Sequence, residues 1–474
     1  MLACRSRTAT TQRRPLAVLL AVVGLAGLAT PGPSAAAPPS LGASAPFRDV
    51  DVPVEYSRLP NGLKVVLSPD RTAPVATVGV YYHVGSRIEP PGQSGFAHLF
   101  EHMMFQGSKN LGKGEHIRLV QSNGGTYNGV TMDDHTYYFE TVPAHFVRPV
   151  LWAEADRMRG LALTEENLAN QREVVKNEIR LNVLNRPYAG FSWLDLPALA
   201  FQNWHNGHNV YGEPADIDAA TLDAARTFFD THYAPNNAAL VVVGDFDVAR
   251  TKQWIDLYFG DIEPAPPPSR PDVSEPRQEG ERVARRRYPR APRPAIAVGY
   301  HAPDRETPEY LAFDLIDEIL GEGPDARLHQ RLVLERGVTG EVSTWVRGNR
   351  YEVEGPTLYM IELRHDSGIA PEAILEVIDA EISRLRDEPV DAATLERARI
   401  KAKSWFFDEL ERGHRLGRAN LLGTYALFFD APERVNEVPE GLHAVTPELI
   451  QRTAQEYLRT SNRTVLIAEA GEGR

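Results

Sequence analysis

Nine residues near the middle of the chain, Glu263-Pro264-Ala265-Pro266-Pro267-Pro268-Ser269-Arg270-Pro271, hold five prolines. Such a run supports neither a helix interior nor a central strand, and it favours an extended, semi-rigid spacer. With Pro276 it reads as a linker over 263–276 between two segments of similar size, 48–262 and 277–470. Each is long enough to bury its own core. The two segments also read alike. The first opens on β-type runs, Leu63 to Leu67 and Val75 to Val84, joined by a turn at Pro69-Asp70. The second opens on Arg282 to Tyr288 and Ala295 to Tyr300, joined by Pro289-Arg290-Ala291-Pro292. Each ends on a helical stretch (to Tyr233 and to Tyr457), an Asn-containing turn and a strand (Ala239 to Val243, Thr464 to Ala468). A hairpin, helices and a closing strand in each half predict an α+β duplication. The Arg285-Arg286-Arg287 cluster reads as a solvated strand face.

Residues 1–37 carry Arg5, Arg7, Arg13 and Arg14, no acidic residue, an apolar run from Leu16 to Ala29, and small residues at Ser34-Ala35-Ala36-Ala37. This is the pattern of a secretory signal, cleaved near Ala36 or Ala37, and the expected location is exported and periplasmic. The run is shorter than a membrane span needs. A mitochondrial transit peptide, a twin-arginine signal and an uncleaved anchor fit it less well. The only cysteine, Cys4, lies in this leader. Disulfide scaffolds, Cys-rich zinc sites and iron–sulfur clusters are therefore excluded, and a thiol nucleophile nearly so. The net charge of −13 argues against nucleic acid as the main partner.

Chemistry concentrates between Ser94 and Phe105. Ser94 is the expected N-cap of a helix and Gly107 its expected stop. Phe96, Leu99, Phe100, Met103 and Met104 cover nearly all sides, so the helix should be buried. His98 and His102, four apart, share one face, and Glu101 lies beside them. A core histidine bonded to a glutamate is the plain alternative. A buried glutamate is costly unless compensated, however, and a divalent metal held by the two imidazoles compensates it. Hydrolytic zinc usually has three protein ligands and an open position. The expected third is Glu178, on a helix from Thr164 to Asn185 with Thr164 as N-cap, in a stripe with Gln171, Val175 and Asn182. Glu173 points roughly 140° away. His205 and His208 are the reserve ligands.

These residues resemble a known family. Gly85-Ser86-Arg87 and Gly95-Phe96-Ala97-His98-Leu99-Phe100-Glu101-His102-Met103 are similar to the pitrilysin/insulinase-type zinc peptidases, the inverzincins. The likeness continues through Gly124-Gly125, Asn128 to Thr131, Tyr138 to Pro143, Gln171 to Glu178, Tyr233-Ala234-Pro235-Asn236-Asn237 and Val243-Gly244-Asp245. In the second half it includes Leu320-Gly321-Glu322-Gly323 with Arg327-Leu328. The resemblance implies two homologous α+β domains, each an antiparallel-rich sheet packed with helices. It implies Zn2+ on His98, His102 and Glu178, with Glu101 as general base. It also implies an extended peptide substrate on an edge strand at Asn128, Gly129 and Val130.

Two departures stand out. The family often has a glutamate seven residues before its third ligand, where this chain has Gln171, an amide still able to act from behind the ligands. The family's second domain commonly carries an Arg/Tyr pair that holds substrate, and here those positions are Val333 and Gly340. The expectation is therefore a zinc endopeptidase that is the metal-bearing member of a two-subunit enzyme, a homologous partner supplying the Arg/Tyr pair. The alternatives are a non-catalytic peptide-binding or scaffold subunit, and a metal-dependent hydrolase of another ester or amide.

Overall fold

The computed structural model describes residues 51–471, so the expected leader at 1–37 lies outside the described residues. Among the described residues, eleven strands form two sheets. The first contains β1 (Glu55–Arg58), β2 (Lys64–Pro69), β3 (Val75–Tyr82), β4 (Thr126–Thr131), β5 (Thr136–Pro143) and β6 (Ala238–Gly244), in the order β1-β2-β6-β3-β5-β4. The second contains β7 (Arg282–Tyr288), β8 (Ala295–His301), β9 (Val342–Val346), β10 (Leu358–Arg364) and β11 (Arg463–Ala470), in the order β7-β11-β8-β10-β9. The halves repeat one topology. Leaving aside the edge strand β1, the closing strand runs parallel to β2 or β7 and antiparallel to β3 or β8.

That topology corrects the expected hairpins. β2 and β3 do not pair, because β6 inserts between them, and β11 separates β7 from β8 in the same way. The sequence explains the placement. β6 reads Ala-Ala-Leu-Val-Val-Val-Gly and is buried along its whole length, as a central strand must be. β7 is an edge strand on which Arg285, Arg286 and Arg287 are exposed. Arg285 pairs with Glu372, and Arg286 pairs with Asp195 at 2.8 Å.

Residues 263–279 carry no helix or strand. Asn203 holds this segment by donating to the carbonyls of Asp272 (2.8 Å) and Ser274 (3.1 Å). The halves also interlock. The short helix Leu196–Ala200, from the first half, buries Leu196 and Ala200 with Ala295, Ala297 and Leu466 of the second sheet. In return, residues 416–429 of the second half lie on β3 and β6. There the Tyr81 hydroxyl donates to Asn420 at 2.8 Å, and Lys64 Nζ donates to the carbonyls of Ala426 (2.7 Å) and Leu427 (3.0 Å). The helical stretch Ala392–Phe429 makes this crossing by breaking at Gly413, His414 and Arg415, all with positive φ. The Asp70 carboxylate anchors the break, 2.9 Å from Arg415 Nε and 3.2 Å from Arg418 Nη1.

Candidate metal centre

The first histidine pair sits on α1 (Phe96–Met103), buried through Phe96, Ala97, His98, Leu99, Phe100 and Met103. Its start differs from expectation. The N-cap is Gly95, at φ 83°, and a Cβ there would come within 2.7 Å of Gly212 Cα and the Tyr211 carbonyl. A left-handed residue in so tight a place must be glycine. The capping carboxylate is Glu89, which accepts from the Gly95 and Ala97 amides at 2.8 Å each. Ser94 is turned away, its amide and hydroxyl both donating to Asp216 (3.0 and 2.6 Å). The helix ends at Met103, ahead of Gly107.

Three further helices complete the surroundings: α2 (Glu115–Gln121), α3 (Val147–Arg159) and α4 (Glu165–Ile179). Thr164 caps α4, its hydroxyl accepting from the Asn167 amide. α4 packs beside α1 and continues as a π-helical turn, Arg180–Leu184. Glu178 therefore stands in its last turn, facing the two histidines.

His98 Nε2 and His102 Nε2 are 3.3 Å apart, and Glu178 Oε2 lies 3.7 Å from the first and 3.2 Å from the second. Zinc bonds of ~2.0–2.1 Å with tetrahedral angles separate donors by about 3.3–3.4 Å. The triangle is the size of one face of a zinc coordination shell, and two imidazoles with a carboxylate are a zinc donor set. Burial, reinforced by His102, pushes His98 down to about 4, which keeps its imidazole neutral at pH 7. Burial pushes the Glu178 carboxyl up, but the hydrogen bond from His102 and the electrostatic pull of the two neighbouring histidines bring it below its ordinary value. A neutral imidazole at His98 and an ionised Glu178 carboxylate are protonation states that suit a metal. Asn182 donates to the other Glu178 oxygen at 3.1 Å, and the Tyr211 ring meets His98 edge-on.

Glu101 lies on the neighbouring face of α1. Burial pushes its carboxyl up, and the Thr131 hydroxyl donates to it at 2.8 Å. Thr131 ends β4, which among the described residues pairs with β5 alone and leaves its outer edge open. Asn128, Gly129 and Val130 lie on this edge strand, with Asn128 exposed and Gly129 buried. Gly129 packs on Glu101, and a Cβ there would stand 2.9 Å from Glu101 Cγ.

Other candidates fall elsewhere. Gln171 is buried, and its amide donates to Asn170 at 2.8 Å. Among the described residues, no hydrogen bond joins it to His98, His102 or Glu178. His205 Nδ1 bonds the Arg87 carbonyl at 2.9 Å, and His208 Nε2 bonds Glu89 at 3.1 Å, so neither reserve ligand faces the triad. Val333 lies in the π-helical turn His329–Glu335, packed on the core, and Gly340 lies in the loop before β9. A second buried group, His116, Glu140 and Glu154, already holds a cation. Arg157 bonds Glu154 (Nε, 2.8 Å) and Glu140 (Nη2, 3.2 Å). The roles of Glu89 and Tyr211 carry no local sequence signal. Asn182 does, being four residues beyond Glu178 on one helical face.

Two family models match the chain: "Insulinase (Peptidase family M16)" over residues 64–203, and "Peptidase M16 inactive domain" over residues 219–401. A curated relative, zinc protease PqqE of Helicobacter pylori, is 28% identical over 418 residues, covering 87% of this chain and 92% of its own. Cytochrome b-c1 complex subunit 1 of Rattus norvegicus is 25% identical over 271 residues, 56% of this chain and 55% of its own. Among solved structures, a protease from Helicobacter pylori superposes with a TM-score of 0.81 at 26% identity, covering 88% of this chain and 100% of that one.

Proposed function

The chain belongs to the insulinase family of peptidases, and on that premise we propose that it is a zinc-dependent endopeptidase acting on peptides or short unfolded segments. The observation that carries the reading is the triangle of His98, His102 and Glu178, with Glu101 beside it on α1. A zinc ion there supplies a Lewis acid that polarises a peptide carbonyl and acidifies water. The chain's own residues supply the rest. The Glu101 carboxylate takes the proton of the attacking water and later delivers it to the departing amine. Thr131 Oγ holds Glu101 Oε2 in place for that transfer. The open edge of β4 pairs with an extended peptide through backbone hydrogen bonds at Asn128, Gly129 and Val130. Gln171, two turns before Glu178 on α4, is buried with its amide bonded to Asn170.

The reading includes the domain division and the partner. Residues 48–262 form the metal-binding domain, 263–276 the joint, and 277–470 the homologous second domain. That second domain lacks the Arg/Tyr substrate pair, with Val333 and Gly340 in its place. A homologous subunit supplies the pair, in keeping with a relative named as a subunit of a complex. The leader at 1–37 sends the chain to the periplasm. Peptide cleavage by the zinc-loaded mature chain, alone and with a homologous neighbour, tests the reading. It predicts turnover on mixing and loss of turnover in Glu101→Gln with zinc retained. No turnover under either condition refutes the endopeptidase.

A further inference from the structure

A cleft of about 490 Å³ opens beside the metal centre, between the segment that follows α4 and the start of the second sheet. Two contact chains tie it to the ligands. Asn182, on its wall, donates to Glu178. Trp193, also on its wall, meets Tyr211 edge-on, and Tyr211 meets His98 in the same way. Three guanidinium groups line the cleft, those of Arg186, Arg293 and Arg364, against one carboxylate, Glu362. In a chain of net charge −13, that balance is the reverse of the average surface.

The one carboxylate is already engaged. Its oxygens accept from the Ser192 hydroxyl at 2.5 Å and from Arg364 Nη2 at 3.2 Å. Arg364 keeps donors to spare and lies 4.8 Å over the Tyr188 ring. The Tyr188 hydroxyl in turn donates to the Arg293 carbonyl at 3.0 Å, so one tyrosine braces two of the arginines. Among the described residues, the Arg293 guanidinium has one long ion pair, 3.7 Å, to the exposed Asp366. Arg186 makes no side-chain hydrogen bond or ion pair among the described residues. A second hollow of about 380 Å³ shares Arg293, Glu362 and Arg364 but adds Glu341, so the excess of positive charge is confined to the first cleft.

We propose that this cleft is a substrate subsite that takes an acidic side chain at one fixed position relative to the cleaved bond, held by Arg186, Arg293 and Arg364. The inference rests on the endopeptidase reading for its meaning, but its test does not. Guanidinium groups with unused donors pair with carboxylates bidentately, and an amide of the same shape cannot replace the charge. The probe is a pair of fluorescein-labelled twelve-residue peptides, otherwise uncharged, with Glu or Gln at one scanned position. Binding is read by fluorescence anisotropy on the full mature chain carrying Glu101→Gln. At one position the Glu peptide should bind about tenfold tighter or more, and the preference should fall with added salt. It should shrink in Arg186→Gln, an exposed partnerless site where folding is not at risk, and vanish in Arg186→Gln/Arg293→Gln/Arg364→Gln. Equal binding of Glu and Gln peptides at every position overturns the proposal, as does a preference that survives the triple variant with its fold intact by circular dichroism. Mapping cleavage sites by mass spectrometry with the active chain then separates the two claims. A binding preference without cleavage of any peptide refutes the endopeptidase and leaves the subsite standing, whereas cleavage without the preference does the opposite.

Discussion

Gly129→Ala isolates the packing that aims the general base. The added Cβ would stand 2.9 Å from Glu101 Cγ and 3.1 Å from Tyr138 Cδ1 and Cε1. Comfortable carbon contacts are about 3.5–4.0 Å, so Glu101 or β4 must retreat by roughly 0.6–1.1 Å. Tyr138 cannot yield, because it is fully buried with Arg157 4.8 Å over its ring and its hydroxyl 3.1 Å from that of Tyr233. The displacement therefore falls on the Glu101 carboxylate and its bond to Thr131. A misplacement of about 1 Å costs on the order of 100-fold in rate, so kcat should drop about 10- to 100-fold. Overpacking should lower stability by only about 1–3 kcal/mol. The assay is kcat on a fluorogenic peptide, with zinc content measured on the same sample and Thr126→Ala, at the exposed start of β4, as control. Unchanged kcat with the zinc retained refutes the reasoning, because Glu101 would then not need the space that Gly129 leaves.

Thr131→Val keeps the shape of that side chain and removes its bond to Glu101; kcat should fall about tenfold or more with zinc affinity unchanged, and an unaltered kcat contradicts the positioning role. Arg157→Met leaves Glu140 and Glu154 buried without their cation, and urea unfolding at pH 7 should show a loss of about 3–5 kcal/mol. A loss below about 1 kcal/mol contradicts that account. Burial pushes His135, packed against Tyr137 and Phe428, down to about 3. The unfolded chain binds that proton near pH 6.5 and the folded chain does not, so this stability is present above pH 6.5 and is lost as pH falls toward 3. Between pH 6.5 and 5 the loss is about 1.5 kcal/mol, and His135→Phe should be spared it. Parallel pH profiles for the two proteins contradict this.

Local pattern carried part of the structure and failed at identifiable points. The spacing of His98 and His102 and the apolar sides of α1 are helical facts, visible in eight residues. The stripe from Gln171 to Glu178 put the acidic side chain on the face of α4 that meets His98 and His102, and Thr164 caps that helix as its chemistry demands. Ser94 misled because its hydroxyl has a better partner, Asp216, more than a hundred residues away, while the cap comes from Glu89. The hairpins misled for a related reason. Two successive apolar runs with a short connection suggest pairing, but β6, buried along its whole length, and β11, buried from Arg463 to Ala468, insert between them from far along the chain. His205 and His208 had the right chemistry for ligands and are spent on Arg87 and Glu89. The cationic cleft draws on residues 186, 293 and 364, which share no sequence window.

The account stands or falls on what His98, His102 and Glu178 hold. Zinc K-edge absorption fine structure on the purified chain, calibrated for metal content, reads that directly. The account predicts one zinc per chain with two imidazole nitrogens at about 2.0–2.1 Å and carboxylate oxygen at about 2.0–2.2 Å, and loss of that signal in Glu178→Ala. A folded chain that takes up no divalent metal, or binds it without two imidazoles in the shell, contradicts it.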